Sequence, residues 1–441
     1  MSSLKIIIFG ASGDLARKKL FPALYKLKAE DFEIIGYSRT NLESNFNEHI
    51  SKLVNYDEEF LKRVRYISGK YDNLEALKPL IDENSICYLS VPPSLYIFLI
   101  KQLIELNVRR ICLEKPFGED LQSFLQIKKL QDDNKNLYIY FVDHYLYKPM
   151  TVVIPEFYEK YPLLNEIMHR KYIDNAQIYF KEQLGTEGRV YFEKTGLVRD
   201  IIQNHVGEII GTLAAGTGDR TNFLGRANQI EKKESLCGQY DEYKRELLNE
   251  TSTETFSMIA VTFNDNRWLN VPFIIVAGKG MDEKRVEGKF TLTESGAKKM
   301  IELLEIVNPQ EVIEYKHMIK NEMLESVSLI FNYSPENEIY LELKFPQNIS
   351  RVTLFDESDV MKIMKDKYND LTDHEIIFNG LIKNTKVVCA KADEVEYLWR
   401  LFNPNSILND ITSILYPKGI DIPNEANDLL KKIIKTYKKR R

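Results

Sequence analysis

The chain has 441 residues, more than one hydrophobic core comfortably organises, and this predicts two domains. Its 44% hydrophobic and 28% charged residues are those of an ordinary soluble globular protein. A formal charge of -5 supplies no whole-chain basic field to draw it to nucleic acid or to an anionic membrane, so metabolite chemistry is the expectation.

In chain order, the first third carries six short β-branched runs: "KIIIFG" (5–10), "EIIGYSR" (33–39), "VRYIS" (64–68), "ICYLSVP" (86–92), "ICLEKP" (111–116) and "LYIYFVDH" (137–144). Continuous apolar runs suit strands covered on both faces. Helical stretches lie between them, such as "LARKKLFPALYKLKA", with apolar Leu15, Leu20, Ala23, Leu24 and Leu27. This alternation predicts parallel βαβ units with right-handed crossovers. After about residue 145 the rhythm changes. Long runs such as "TFSMIAVTFN", "VPFIIVAGKG", "SVSLIFNYS" and "EIYLELKFP" predict a larger, mostly antiparallel sheet, and the polar stretch 228–254 a long surface excursion. The fold class expected is α/β: an N-terminal Rossmann-like doubly wound parallel sheet (1–145), then a C-terminal α+β domain (146–441) with a large, mostly antiparallel sheet.

Four cysteines without metal-type spacing fit reduced, buried thiols in a cytoplasmic protein, and no metal site is expected. The sequence enters a strand directly after two serines, and no apolar run reaches the roughly 18 residues needed to cross a bilayer, so neither export nor a membrane anchor is expected. The basic end "KKIIKTYKKRR" reads as a solvated helix terminus.

Chemistry concentrates in five places. "GASGDL" (10–15) closes the first strand and opens the first helix: Gly10 permits a tight turn, Gly13 removes a side chain where a phosphate would approach, and the helix N-terminus offers unpaired N–H groups. A plain glycine turn is the alternative. The second strand ends "GYSRT" with Arg39 and no carboxylate, which favours a 2′-phosphate and hence NADP over NAD; a solvent-facing loop arginine is the plainer reading. In "EKPFG" (114–118), Pro116 holds Lys115 extended at a strand end. In "LVRDIIQNHVGEII" (197–210), His205 sits on the edge of a helical apolar stripe and by itself reads as a core histidine. "FVDHYLYKPM" (141–150) crowds Asp143, His144, Tyr145 and Lys148 behind an apolar run.

Together these stretches resemble the glucose-6-phosphate dehydrogenase family. "GASGDLARKK" is similar to its coenzyme loop, "YLSVPP" (88–93) and "EKPFG" to its coenzyme-side turns, and "DHYLYK" (143–148) to its DHYLGK signature. "KEQLGTEGR" (181–189), "GLVRDIIQNH" (196–205), "GQY", "NRWLNVPFIIVAGKGMDEK" and "AKADEVEYLWRLFNP" continue the resemblance in order to about residue 404.

The resemblance implies oxidation of D-glucose 6-phosphate to the 1,5-lactone with hydride transfer to NADP, the first step of the pentose phosphate pathway. His205 would be the general base and Asp143 the carboxylate that orients it. His144, Tyr145 and Lys148 would meet the 6-phosphate, with His144 and Lys148 on one face of a helix beginning there. Lys115, Glu182, Asp200, Lys279 and Lys284 would complete the sugar site. Coenzyme contacts would come from Gly10, Ser12, Gly13, Asp14 and Leu15 in the first loop. Lys19, Arg39, Pro92 and Lys115 would supply the rest. A homodimer or tetramer is implied by analogy. Tyr147 replaces the glycine of the signature, a proline-containing stretch expected after the catalytic helix is absent, and the loop between Gln239 and Thr255 is short. A dehydrogenase for another hexose or amino-sugar phosphate is therefore the alternative. A non-catalytic NADP-binding regulatory protein is a third reading, opposed by retention of both Asp143 and His205.

Overall fold

A computed structural model of the chain describes residues 4–42, 44–188, 190–247, 251–403, 407 and 413–440. Arg189 and Pro404, which end two of the quoted motifs, and residues 248–250 of the polar stretch lie outside the described residues. The chain divides into two compact units, Met1–Tyr147 with Asp370–Glu396, and Lys148–Asn369 with Tyr397–Arg441.

The six apolar runs of the first unit all form strands: β1 (Lys5–Phe9), β2 (Glu33–Ser38), β3 (Val64–Ser68), β4 (Ile86–Leu89), β5 (Arg110–Glu114) and β6 (Tyr138–Val142). They build one sheet in the order β3-β2-β1-β4-β5-β6 with every pairing parallel. Consecutive residues Ile6, Ile7, Ile8 and Phe9 are all 0% exposed, so both faces are covered, as continuous apolar runs require. Strand order reverses between β1 and β4, the place where doubly wound sheets open a ligand crevice at their carboxyl ends. The late segment also joins this unit. Its helix Asp373–Ile382 packs Phe378 against Tyr88, ring centroids 5.3 Å apart, and Ala390 bridges Phe141 on the edge strand β6. An edge covered in this way is protected from pairing with another chain.

The second unit is built on β7 (Ile173–Glu182), β8 (Ser235–Tyr240), β9 (Phe256–Val261), β10 (Phe273–Lys279), β11 (Arg285–Leu292), β12 (Ser326–Ser334), β13 (Glu338–Lys344), β14 (Ile349–Phe355) and β15 (Ser413–Tyr416). The sheet order is β14-β13-β12-β11-β7-β10-β9-β8-β15, antiparallel except for the β10–β7 and β15–β8 pairs. Trp268, Phe273, Phe290 and Phe331 meet largely edge to face over its core, with centroids from 5.1 to 6.2 Å apart.

The polar stretch 228–254 is not simply a surface excursion. Its "SLCGQY" is β8, buried at all six positions and paired on both sides. Ser, Gly and Gln interrupt the apolar character, so the strand lacked the hydrophobic run that marked the others. The basic C-terminus does end a helix, Asn424–Arg440, with Lys438, Lys439 and Arg440 in its last turn.

Candidate active site

In the first unit, the loops after β1, β2, β4, β5 and β6 all leave the carboxyl edge of the sheet. The β1 loop folds back on itself, Gly13 N–H donating to Gly10 O at 2.8 Å and Gly10 N–H to Tyr37 O at 2.8 Å. Gly10 has φ +79°, and a Cβ there would lie 2.0 Å from Ser90 O, so backbone alone fits between the β1 and β4 ends. Ser12 Oγ lies 2.7 Å from Ser38 Oγ, tying this loop to the end of β2. Asp14 is exposed and pairs with Lys18 at 3.0 Å, which holds its carboxyl below the usual range. Leu15 is half-buried and Lys19 exposed on the turn that follows. Arg39 is exposed with its guanidinium 5.6 Å from the centre of the Tyr71 ring, and Pro92 is exposed at the start of the turn after β4. A backbone cradle beside a guanidinium, with no carboxylate at the β2 tip among the described residues, fits a dinucleotide carrying a 2′-phosphate.

Lys115 is half-buried directly after Glu114, the last residue of β5. Asp143 is 1% exposed, and its Oδ1 accepts from Tyr145 N–H at 2.8 Å. His144 and Tyr145 are half-buried, with ring centroids 5.1 Å apart. Residues 144–147 form a tight 3-10 turn, Lys148 is extended (φ −63°, ψ 141°), and the helix begins at Pro149. The expectation that His144 and Lys148 share one helical face therefore fails. A residue before proline is driven out of the helical region, and the proline takes the first helical position.

In the second unit, β7 and β10 run parallel with Glu182 opposite Lys279. Lys279 pairs with Glu182 and lies 3.3 Å from Asp200, and its ammonium is 5.1 Å from the centre of the Phe192 ring. His205 is 4% exposed and stacks on Phe180 with centroids 6.3 Å apart and planes 15° apart. Phe180 and Glu182, two apart on β7, share a face. Lys284 is exposed beyond β10, and the structure does not bring it into this cluster through any contact described for it.

The segment bearing Asp200 and His205 is not α-helical as the apolar spacing predicted. Val198–Val206 winds as a π-helix, Gly207 N–H reaching back to Ile202 O, and the Asn204 side-chain Nδ2–H donates to Arg199 O at 2.8 Å; α-helix follows over Gly207–Ala215. Hydrogen bonds from i to i−5 set Asp200 and His205 about one turn apart, where an α-helix would splay them. Glu254, 6% exposed, caps this segment: its Oε1 accepts Val198 N–H at 3.0 Å and its carbonyl accepts Leu197 N–H at 3.2 Å. Burial pushes the Glu254 carboxyl up, opposed by the Val198 N–H it accepts. Gly196 (φ +67°) turns the chain beside it, where a Cβ would come within 2.6 Å of that carboxylate. Trp268 Nε1–H donates to Ala214 O at 2.8 Å and Tyr158 hydroxyl to Leu213 O at 2.8 Å, fixing the far end of the same helix.

Two family models match nearly the whole chain: the glucose-6-phosphate dehydrogenase NAD-binding domain over residues 7–152 and its C-terminal domain over residues 159–438. The chain belongs to the glucose-6-phosphate dehydrogenase family. It is 37% identical to a glucose-6-phosphate 1-dehydrogenase of Encephalitozoon cuniculi, covering 98% of this chain and 99% of the relative. It is 29% identical to a cytoplasmic isoform, glucose-6-phosphate 1-dehydrogenase 5, of Arabidopsis thaliana, covering 98% and 91%. A solved glucose-6-phosphate dehydrogenase in complex with glucose 6-phosphate superposes with a TM-score of 0.77 at 25% identity, covering 98% of this chain and 99% of that one. The parallel and the mostly antiparallel sheets of this family are both present. Glu254 was not singled out in the sequence; a lone glutamate after "TST" gives no sign that its partners lie 56 residues upstream.

Proposed function

We propose that the chain oxidises D-glucose 6-phosphate at carbon 1 to 6-phospho-D-glucono-1,5-lactone with NADP as hydride acceptor, the first step of the pentose phosphate pathway. It is an oxidoreductase of its family, and the cofactor is NADP. What carries the residue-level reading is the buried imidazole of His205 on a π-helical turn, with Asp200 tied through Lys279 to the end of β7.

His205 takes the proton from the carbon-1 hydroxyl. A ring stacked on Phe180 in a buried setting is held in one orientation, which a general base requires. Asp143, fixed by the Tyr145 N–H, is the carboxylate assigned to orient and stabilise the resulting imidazolium. Glu182, Asp200 and Lys279 offer acceptors and a donor for sugar hydroxyls, with Lys284 the outermost contact. Lys148, His144 and Tyr145 serve the 6-phosphate, where cations and hydroxyl donors are suited to a dianion. Bound NADP supplies the hydride acceptor. The β1 loop and Arg39 would hold its phosphates, and Lys115 would contact its nicotinamide end.

Among the described residues no helix is long and apolar enough to cross a membrane. The proposed compartment is the cytoplasm. Cys87, Cys112 and Cys237 are buried free thiols, and burial pushes each of them up, away from the reactive thiolate. The proposed assembly is a homodimer or tetramer, which light scattering during size-exclusion chromatography measures directly.

The test is reduced-nicotinamide absorbance from purified protein, glucose 6-phosphate and NADP. His205→Asn should lower kcat by about 100- to 10,000-fold with KM nearly unchanged. Lys148→Ala should chiefly raise the KM for the sugar phosphate. Silence across a panel of phosphorylated hexoses, from folded protein that binds NADP, would overturn the reading.

A further inference from the structure

In the first unit, the helix Asp373–Ile382 carries His374 to the carboxyl end of β5, 260 residues from its partner in sequence. His374 is 4% exposed. Its Nε2 lies 3.2 Å from Glu114 Oε1 and its Nδ1 lies 3.2 Å from Asp373 Oδ1. A neutral imidazole has one donor nitrogen and one acceptor nitrogen, so one of these contacts would set acceptor against acceptor. Only the imidazolium, a donor at both positions, satisfies both carboxylates.

Glu114 is held from other sides as well. Its Oε1 accepts from the Tyr88 hydroxyl, and its carbonyl accepts from the Tyr96 hydroxyl at 2.8 Å. The next residue is Lys115, so the groups that anchor Glu114 also anchor the root of the Lys115 side chain.

We propose that His374 is a positioning residue: its imidazolium, clamped between Glu114 and Asp373, fixes the Glu114–Lys115–Pro116 turn and so determines where Lys115 points. This rests on the reading above in which Lys115 meets the nicotinamide and the sugar. His374 touches neither; it acts through Glu114 and the backbone that joins Glu114 to Lys115.

The surroundings of the ring support a cation. Asp373 comes from its own helix, where Glu375 is engaged in the cap with Thr372. Glu114 comes from β5, and Tyr88 from β4 acts through Glu114. The helix Phe21–Lys26 packs nearby with Tyr25 and Lys26, and the 144–147 turn with His144, Tyr145 and Tyr147. The charges acting on the ring are those of Asp373 and Glu114. Burial alone would lower the pKa of His374, but the two carboxylates win and raise it to about 9.

The experiment compares the full-length protein with His374→Gln and Asp373→Asn variants. Thermal melting first confirms that each is folded. His374→Gln should lower kcat/KM about 10- to 100-fold near neutral pH, in kcat more than in the KM for glucose 6-phosphate, as a misplaced catalytic-site group does. The wild-type profile should lose activity through an alkaline limb near pH 9, and His374→Gln should abolish that limb. Asp373→Asn keeps the imidazole but removes one anion, so the limb should move to lower pH. A readout independent of turnover is the methyl resonance of reductively 13C-dimethylated Lys115, assigned with Lys115→Arg, which should shift in step with the His374 Cε1–H titration. Wild-type kcat/KM and an unchanged limb in His374→Gln, in an active enzyme, would overturn the positioning role while leaving the dehydrogenase reading intact. If the wild type is inactive, the dehydrogenase reading falls, and an unmoved Lys115 resonance would overturn the positioning role separately.

Discussion

Lys181 and Glu182 are neighbours at the end of β7, and the strand pleat sends them to opposite faces of the nine-stranded sheet. On one face the Lys181 side chain is 0% exposed, its ammonium 2.5 Å from Asp282, 2.6 Å from Asp421 and 3.5 Å from Glu283. Arg285 shares Asp421 and Glu283 at 3.3 and 3.2 Å and lies 4.7 Å from the centre of the Tyr179 ring. On the other face Glu182 holds Lys279, which reaches Asp200. Both are lysine–carboxylate clusters that draw on the "KEQLGTEGR" and "NRWLNVPFIIVAGKGMDEK" stretches, yet they tie different things together. The Lys181 network fastens the segment around Asp421 to the sheet. The Lys279 cluster fastens the π-helical turn of His205 to the ends of two parallel strands. Adjacent residues of one motif thus divide between holding the fold and building the site, and the pleat decides which does which.

The largest effect expected from this division is on activity. Lys279→Met should lower kcat/KM by about 100-fold or more, roughly 2.7 kcal/mol of transition-state stabilisation, and should also cost about 1–3 kcal/mol of stability, because Glu182 and Asp200 are left facing each other without their cation. Lys181→Met should lower stability and spare activity. It removes a buried cation from three carboxylates that keep some contact with water, so a loss of about 1–3 kcal/mol is expected, below the usual range for breaking a fully buried pair. Its kcat/KM should stay within about threefold of wild type, as a change remote from the reacting groups should. Denaturant melts and steady-state kinetics on the same preparations read both quantities. Loss of activity in Lys181→Met without loss of stability would erase the distinction between the two faces.

This division explains what the sequence could and could not reveal. The strands of the first unit were legible because residues such as Ile6 to Phe9 are buried on both faces, and that demand writes an unbroken apolar run. β8 was illegible because its burial is met by Ser235, Gly238 and Gln239 as well as Leu236, Cys237 and Tyr240. The cluster of Glu182, Asp200, His205 and Lys279 was reached through resemblance, since no local pattern links these four positions. The π winding over Val198–Val206 leaves no compositional mark, because a shift of one residue in hydrogen bonding changes geometry without changing residue preference. Lys148 was placed on a helix although Pro149 follows it, and the restriction on a residue before proline was the signal that could have corrected this. His374 had no signal, as its partner Glu114 is brought to it only by the fold.

His374 extends the comparison, because it is a buried cation held between carboxylates, as Lys181 is, but one whose charge titrates in an accessible range. Its pKa is raised from an unfolded value near 6.5 to about 9 in the folded chain. Between these values the folded state binds the proton and the unfolded state does not, so stability falls as pH rises. The contribution is fully present below about pH 6.5 and is lost through pH 9. Within the window one bound proton corresponds to about 1.4 kcal/mol per pH unit, the drop expected between pH 7.5 and 8.5 if no other group titrates there. His374→Gln should flatten that slope, whereas Lys181→Met should lower the whole curve and leave its slope intact. Urea melts at the two pH values measure both. A slope that survives in His374→Gln would mean that the ring is not the proton-binding group, and that only fixed cations hold these two sheets' strand ends in place.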